Sequence, residues 1–299
     1  MATLPLFDKQ VQLTFYDANG NVLAQVATPP AGRKPGIRIS GTFVSASQPM
    51  NIELRVWNFE TSVPLTNYAK IRIQAGYAGY LHSTISGTVW NAFTEQPGPD
   101  KITVFQLIVG DPEAWLTTPI TRNYPAGSSL QSVLADVAGI LGLSLQYYAT
   151  PFTLPIAVNW NRDAKGLVDK LVDLFWAYDA ATQYVGLRIV PFGDNLLCYR
   201  GDQGTGVTYT LKYLGNARHS ARGVDFYGPW IPTIRPGDTV FADPRYFRQD
   251  ISGALGGPAG TTFQVIRIDF ALATDTDENQ AVMITVNQPQ ASAAEANVQ

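Results

Sequence analysis

The residues able to carry out chemistry are few, and their spacing is poor for it. The 299-residue chain has two histidines, His82 and His219, and one cysteine, Cys198. Nucleophilic catalysis wants Ser or Cys beside His, with a carboxylate to orient the ring. Ser83 follows His82, but no G-x-S-x-G elbow occurs, and Cys198 is far along the chain. Two isolated histidines and one cysteine do not make an ordinary zinc set. Asp275, Asp277 and Asn279 imitate the opening of a calcium loop. Gln280 stands where such a loop needs Gly, however, and Val286 where it needs Glu, so 274–279 reads as a polar hairpin turn. No catalytic, metal or cofactor-binding set is therefore expected.

Two sugar-directed chemistries stay open as alternatives. Glycoside hydrolysis needs a pair of carboxylates flanking a groove, and the candidates are Glu53, Glu60, Glu95, Glu113 and Asp243. Glu53 sits beside Leu54 in an alternating strand that assigns it to the outer face, and the others fall in apparent turns. A carbohydrate- or receptor-binding β-module would instead stack sugars on Trp57, Trp90, Trp115, Trp160, Trp176 or Trp230. Trp176 is expected on the apolar face of a helix. Trp57 and Trp90 are expected near strand ends, where large rings plug barrel mouths.

The elements that must position these residues are mostly strands. Across 50–111 apolar residues alternate: Ile52, Leu54, Val56 and Phe59, then Ile71, Ile73 and Ala75, then Ile85, Gly87 and Val89, then Ile102, Val104, Gln106 and Ile108. Residues two apart share one face of a strand, so the segment predicts a half-buried antiparallel meander. Upstream, Asp17-Ala18-Asn19-Gly20 predicts a hairpin, because Asn-Gly accepts positive φ. It joins Val11, Leu13 and Phe15 to Val22, Leu23 and Val26. With a further strand at Ile37 and Ile39, residues 1–111 predict a barrel or sandwich of about six to eight strands.

The texture changes near Pro112. Residues 129–143 place Leu130, Val133, Leu134, Val137 and Leu141 on one helical stripe, capped by Ser128 or Ser129 and ended by Gly142. A second helix is predicted over 164–178, with Leu167, Leu171, Leu174 and Phe175 on one face and Asp163 as N-cap. Leu187, Ile189 and Val190 follow as a strand. Residues 112–205 thus predict a small α+β domain with two helices, and 201–206, rich in glycine, is its exit. Strands return at Val207, Tyr209 and Leu211, at 221–227, at 263–268 and at 281–286. Residues 206–290 predict a second β domain, and 291–299 a flexible tail. Within it, the loop carrying Ser252, Gly253, Gly256, Gly257 and Gly260 is the expected partner-facing loop.

Composition narrows the class. Hydrophobic residues at 45% and aromatic residues at 11% exclude a disordered chain. Charged residues at 15% fall below the globular average of about 25%, which suits a protein that buries its outside in an assembly. A net charge of −3 argues against nucleic acid as a bound ligand. The densest basic cluster, Lys212, Arg218, His219 and Arg222, reads as a solvated loop. Cys198, in Leu196-Leu197-Cys198-Tyr199, reads as a small buried apolar residue, and one cysteine permits no intramolecular disulfide. Residues 1–8 lack a signal-peptide pattern, and no run of about 18 apolar residues predicts membrane insertion. Synthesis in a cytoplasm is expected.

Several motifs also fall in a telling order. Val56-Trp57-Asn58-Phe59, a polar turn with Thr61, Ser62 and Asn67, Gln74-Ala75-Gly76-Tyr77 and Ile85-Ser86-Gly87-Thr88-Val89 follow one another. That order resembles the first barrel of the baseplate hub proteins of tailed phages and related contractile injection systems. Leu187-Arg188-Ile189-Val190-Pro191 is similar to the strand that closes their helix-bearing domain. Ile234-Arg235-Pro236-Gly237-Asp238-Thr239-Val240 resembles a turn-strand of their second barrel. The resemblance covers nearly the whole chain. It implies a mainly β fold, with two tube-type antiparallel β-barrel domains flanking a helix-bearing middle domain. It implies a structural virion protein and no enzyme: a homotrimeric hub of the tail baseplate that adapts a sixfold tail tube to a threefold spike. The implied partners are its own copies, a tail tube or tube-initiator protein, a trimeric spike protein and baseplate wedge proteins. Viral DNA would pass through the channel without specific binding.

Overall fold

The structure, a computed structural model, describes residues 9–28, 36–44, 50–60, 62–77, 80–109, 112–178, 186–201, 203–211, 216–219, 224–242, 261–276 and 279–287. The chain is mainly β with a small helical part lying between two strand-rich regions.

The first region holds β1 (Lys9–Tyr16), β2 (Val22–Ala27), β3 (Ile37–Val44), β4 (Met50–Trp57), β5 (Lys70–Tyr77), β6 (Tyr80–Glu95) and β7 (Ile102–Val109). The predicted hairpin joins β1 to β2, with Gly20 at φ 83°. In its turn the Asp17 carboxylate accepts from the Asn21 side chain and from the Asn19 and Asn21 N–H groups, which holds it below the usual carboxylate range. Asn58 ends β4 in the left-handed region at φ 51°, a conformation that Asn tolerates better than most residues. Its side chain clasps the start of β7, accepting from Lys101 N–H at 3.1 Å and donating to Asp100 at 3.0 Å.

Two sequence expectations for this region need correction. The four apolar runs do not lie in chain order: β5, β6 and β7 are successive neighbours, but β4 pairs with β7, and β1 pairs with β5. Alternation reports which face a residue takes and carries no information on which strand lies beside it. The face assigned to β7 was also wrong. Phe105, Leu107 and Val109 enter the sheet's core, while Gln106 and Ile108 are half-buried on the opposite side. The segment ITVFQLIV is apolar at nearly every position, so a period of two has no unique phase there.

The middle region contains α1 (Pro112–Thr117), β8 (Pro119–Tyr124), α2 (Leu130–Ile140), β9 (Ser144–Tyr147), β10 (Val158–Asp163), α3 (Ala164–Tyr178), β11 (Leu187–Phe192) and β12 (Asn195–Arg200). Both predicted helices form with their predicted caps. Ser129 Oγ accepts from Ser132 N–H at 3.1 Å, and Asp163 Oδ1 accepts from Gly166 N–H at 2.7 Å. Trp176 departs from expectation: it lies one residue past the apolar stripe and is 43% exposed, while Leu167, Val168, Leu171, Leu174 and Phe175 are buried. Short α1 and the β8–β10 pair were not anticipated.

β11 and β12 form a hairpin, turned at Gly193 (φ 59°), and β9 adds in parallel on the far side of β12. This small sheet is buried on both faces. Leu187, Ile189, Leu196 and Cys198 join the helices, whereas Val190, Phe192, Leu197 and Tyr199 join the core of the large sheet. Burial on both sides explains why LRIVPF and NLLCYR are almost continuously apolar. Pro191 sits within β11, which is an edge strand, where the missing N–H costs no ladder bond if it faces outward.

The last region holds β13 (Thr208–Leu211), β14 (Asn216–His219), β15 (Val224–Gly228), β16 (Thr239–Ala242), β17 (Thr261–Ala273) and β18 (Asn279–Asn287). Arg218 and His219, expected in a solvated loop, belong to strand β14; Lys212 and Arg222 lie outside the described residues. β17 pairs antiparallel with β3 from Arg267↔Val44 to Ala273↔Arg38. The first and last regions therefore share one thirteen-stranded sheet, in the order β14-β15-β18-β17-β3-β4-β7-β6-β5-β1-β2, with β13 and β16 branching from β17. Their core is likewise continuous. Phe43 on β3 contacts Phe192 (4.9 Å between centroids) and Phe270 (4.8 Å), and Phe270 stacks on Trp230 at 4.2 Å. All three regions of sequence meet at that ring.

Candidate functional site

Cys198 is fully buried, and burial pushes its thiol up, away from the reactive thiolate. His82 is exposed on β6. Among the described residues no group of three or more His, Cys, Asp or Glu is placed to hold a metal ion. Asp243, Asp277 and the loop with Ser252, Gly253, Gly256, Gly257 and Gly260 lie outside the described residues.

Of the carboxylates proposed for glycoside chemistry, the structure brings two together. Arg55 donates to Glu53 at 2.7 Å and to Glu95 at 3.1 Å, all three half-exposed on the outer face of the large sheet. The two carboxylates share one guanidinium, and neither is a lone acid in an apolar pocket. Glu60 is exposed beyond the end of β4, and Glu113 lies in α1. The same outer face carries a second ion pair, Arg267 to Asp269 at 2.9 Å, with Thr42 donating to Asp269 at 2.5 Å.

Beside the Arg55 group, β3, β4, β6 and β7 frame an open groove of about 320 Å³ lined by Ser40, Gly41, Asn51, Ile52, Glu53, Trp90 and Gln106. Strand register builds its floor. Ser40 is opposite Glu53, Glu53 is opposite Gln106, and Gln106 is opposite Asn91, forming a polar row across four strands. Asn91 Nδ2 donates to Gln106 Oε1 at 2.9 Å, which fixes both amides. Trp90 was expected near a strand end. It lies instead inside the sixteen-residue strand β6, at the register shift between Val89 and Asn91, and is 60% exposed. A bulge sets two residues against one and re-aims a side chain, which accounts for its projection from a polar face.

Apart from the exposed Trp176, the remaining tryptophans are bound into the fold. Trp115 and Trp230 are buried, and Trp160 donates its indole N–H to the Asp163 carbonyl at 2.9 Å. Trp57 closes β4 and packs over Gly36, where a Cβ would lie 3.0 Å from the Trp57 Cβ.

Sequence reasoning missed a buried polar junction between the middle and last regions. Asp238 is fully buried, accepting from the Thr205 hydroxyl and, at 2.8 Å, from Arg235 N–H. The Arg235 guanidinium donates to Gln146 at 2.8 Å, and Gln146 in turn accepts from Tyr148 and donates to Asn195. Burial pushes the Asp238 carboxyl above its ordinary range, against the opposing pull of Thr205 and Arg235. The glycines here are packed tightly. A Cβ on Gly237 (φ 95°) would meet the Tyr199 ring at 2.5 Å, and one on Gly204 (φ 62°) would meet the Gly237 carbonyl oxygen at 2.2 Å. The glycine-rich exit is thus a fitted joint, and Pro236-Gly237-Asp238 was its signal in the sequence.

This arrangement, a large curled sheet with a small helical unit set on it, is similar to that of solved tail proteins. The chain is similar to the 43 kDa tail protein of prophage MuSo2 from Shewanella oneidensis, with a TM-score of 0.58 and 11% identity over 94% of this chain and 99% of that one. A tail protein from Neisseria meningitidis matches with a TM-score of 0.55 and 8% identity, covering 94% of this chain and 97% of the other. The E. coli c3393 protein, a type VI secretion component described as similar to the T4 tail proteins gp27 and gp5, matches with a TM-score of 0.53 and 12% identity. That alignment covers 86% of this chain and 75% of the other. No protein-family model matches the sequence, and no curated protein sequence matches it. At these identities the fold is what is shared.

Proposed function

We propose that this protein is a homotrimeric baseplate hub, located in the virion, that adapts a sixfold tail tube to a threefold spike and forms part of the DNA conduit. The observation that carries the reading is the end-to-end match of the fold with tail proteins, across 94% of this chain and 99% of the Shewanella protein. Each copy would supply two tube-like lobes, residues 1–111 and 206–290, so that three copies present six similar units to the tube. The unit at 112–205 would form the outer flank and meet wedge proteins. The loop at 252–260 would face a partner.

Two features support this reading. Among the described residues the main path of the large sheet ends in β2 and β14, each paired on one side, and open edges offer backbone groups to neighbouring copies. Among the described residues Arg55, Lys70, Arg122, Lys165 and Arg267 each form an ion pair within the chain, whose formal net charge is −3. A wall of internally matched charges would release few counterions on meeting DNA, which disfavours tight binding during passage.

Light scattering tests the proposal. A mass of three times 32.6 kDa, alone or on addition of a trimeric spike, is the expected result. A monomer indifferent to the spike would rule out symmetry adaptation.

A further inference from the structure

We infer that the groove beside Trp90 is a saccharide-binding subsite, suited to a short chain of pyranose rings, a property separate from the hub role. Three observations converge on it. An indole that is 60% exposed stands over the groove from the middle of a strand, held outward by a bulge. A flat apolar ring face beside a polar floor matches a pyranose, which presents C–H groups on its faces and hydroxyls around its rim.

The floor supplies the matching polar groups. Ser40, Glu53, Gln106 and Asn91 follow one another across four strands, a span of about 14 Å at the usual strand spacing. That length suits two or three sugar rings. The groups are also pre-oriented: Gln106 is bonded to Asn91 at 2.9 Å, and Glu53 to Arg55 at 2.7 Å. Fixed amides and a fixed carboxylate lose little freedom when they meet hydroxyls.

The same features disfavour other occupants. A protein interface has a core of several apolar anchors and little charge, whereas here one ring stands above a polar row. A nucleic acid would need unmatched cations, and Arg55, the arginine bonded to the groove-lining Glu53, is shared with Glu95.

The test is a fluorescence titration of the full-length protein with chitotetraose and with cellotetraose, paired with light scattering. Saturable binding of either sugar is expected, weakened at least tenfold by Trp90→Ala and severalfold by Gln106→Ala, with the mass of both variants unchanged. Absence of any saturable response up to roughly 10 mM, an affinity too weak to reflect a built site, would overturn the inference. So would equal affinity in Trp90→Ala, or a fall in mass in that variant, since the latter makes Trp90 a contact between copies. A wild type that binds sugar yet stays monomeric with a trimeric spike present would defeat the hub reading and leave this one standing.

Discussion

The helical unit and the large sheet solve the same burial problem by different means. In the helical unit the decisive contacts are local: Ser129 caps α2 three residues away, Asp163 caps α3, and a stripe of Leu and Val closes the core. In the sheet they are distant. β3 pairs with β17 more than two hundred residues further on, and Phe43 fills a space completed by Phe192 and Phe270. The two regions share β11 and β12, whose alternate residues serve different cores. Regions so unlike in contact range are nevertheless built to unfold together, because neither can lose that hairpin without exposing its own core.

The largest expected effect is at the point where the regions meet. Phe43→Ala should cost about 3–5 kcal/mol, seen as a lower urea midpoint by both circular dichroism and tryptophan fluorescence. A shift in one signal alone would show that the regions are energetically separate. Leu196→Ala and Leu197→Ala sharpen the comparison, since the neighbours face the helical core and the sheet core respectively. Each should cost about 2–5 kcal/mol with a single shared transition. Early loss of helical signal in Leu196→Ala only would break the cooperative picture.

Asp238→Ala removes the acceptor at the joint and should cost about 1–3 kcal/mol by stranding Thr205 and Arg235 N–H. Its pH dependence has a definite sign. The folded pKa is raised above the unfolded value near 3.8, so proton uptake favours the folded chain. That advantage is complete below the unfolded value and disappears as pH rises through the folded one. The stability gap between wild type and variant should therefore be widest in acid and narrow toward neutral pH, as measured by denaturation across pH 3–7 in steps of about one unit. A gap that widens with pH would contradict the assignment. Ser129→Ala should cost about 1 kcal/mol. Glu95→Gln, at a half-exposed pair, should cost less than about 1 kcal/mol, and high salt should shrink the difference.

The same contrast explains what could be read from the sequence. Caps, helical stripes and the Asn19-Gly20 turn depend on residues within a few positions of one another, and all three were legible. Strand order was not, because β4 beside β7 and β17 beside β3 are choices among surfaces that look alike in sequence. The face of β7 failed for want of polar markers, and β8 and β10 are only six residues each, with β8 lacking an alternating pattern that stands out from loop. At the groove, Glu53 and Trp90 were each candidates, but only register shows that they line one surface with Gln106. Asp238 was visible as part of a turn, and its burial was not.

The β3–β17 ladder has a mechanical consequence. Its seven paired positions, from Arg267↔Val44 to Ala273↔Arg38, join the two halves of the sheet side by side. A pull that slides one half past the other along the strands loads those hydrogen bonds together, in shear. A pull across the strands opens them one at a time, like a zip. A component fixed in a tail and strained along the strand direction would therefore resist far larger forces than one strained crosswise, and the orientation of this ladder in an assembly would set the direction in which the chain is strong.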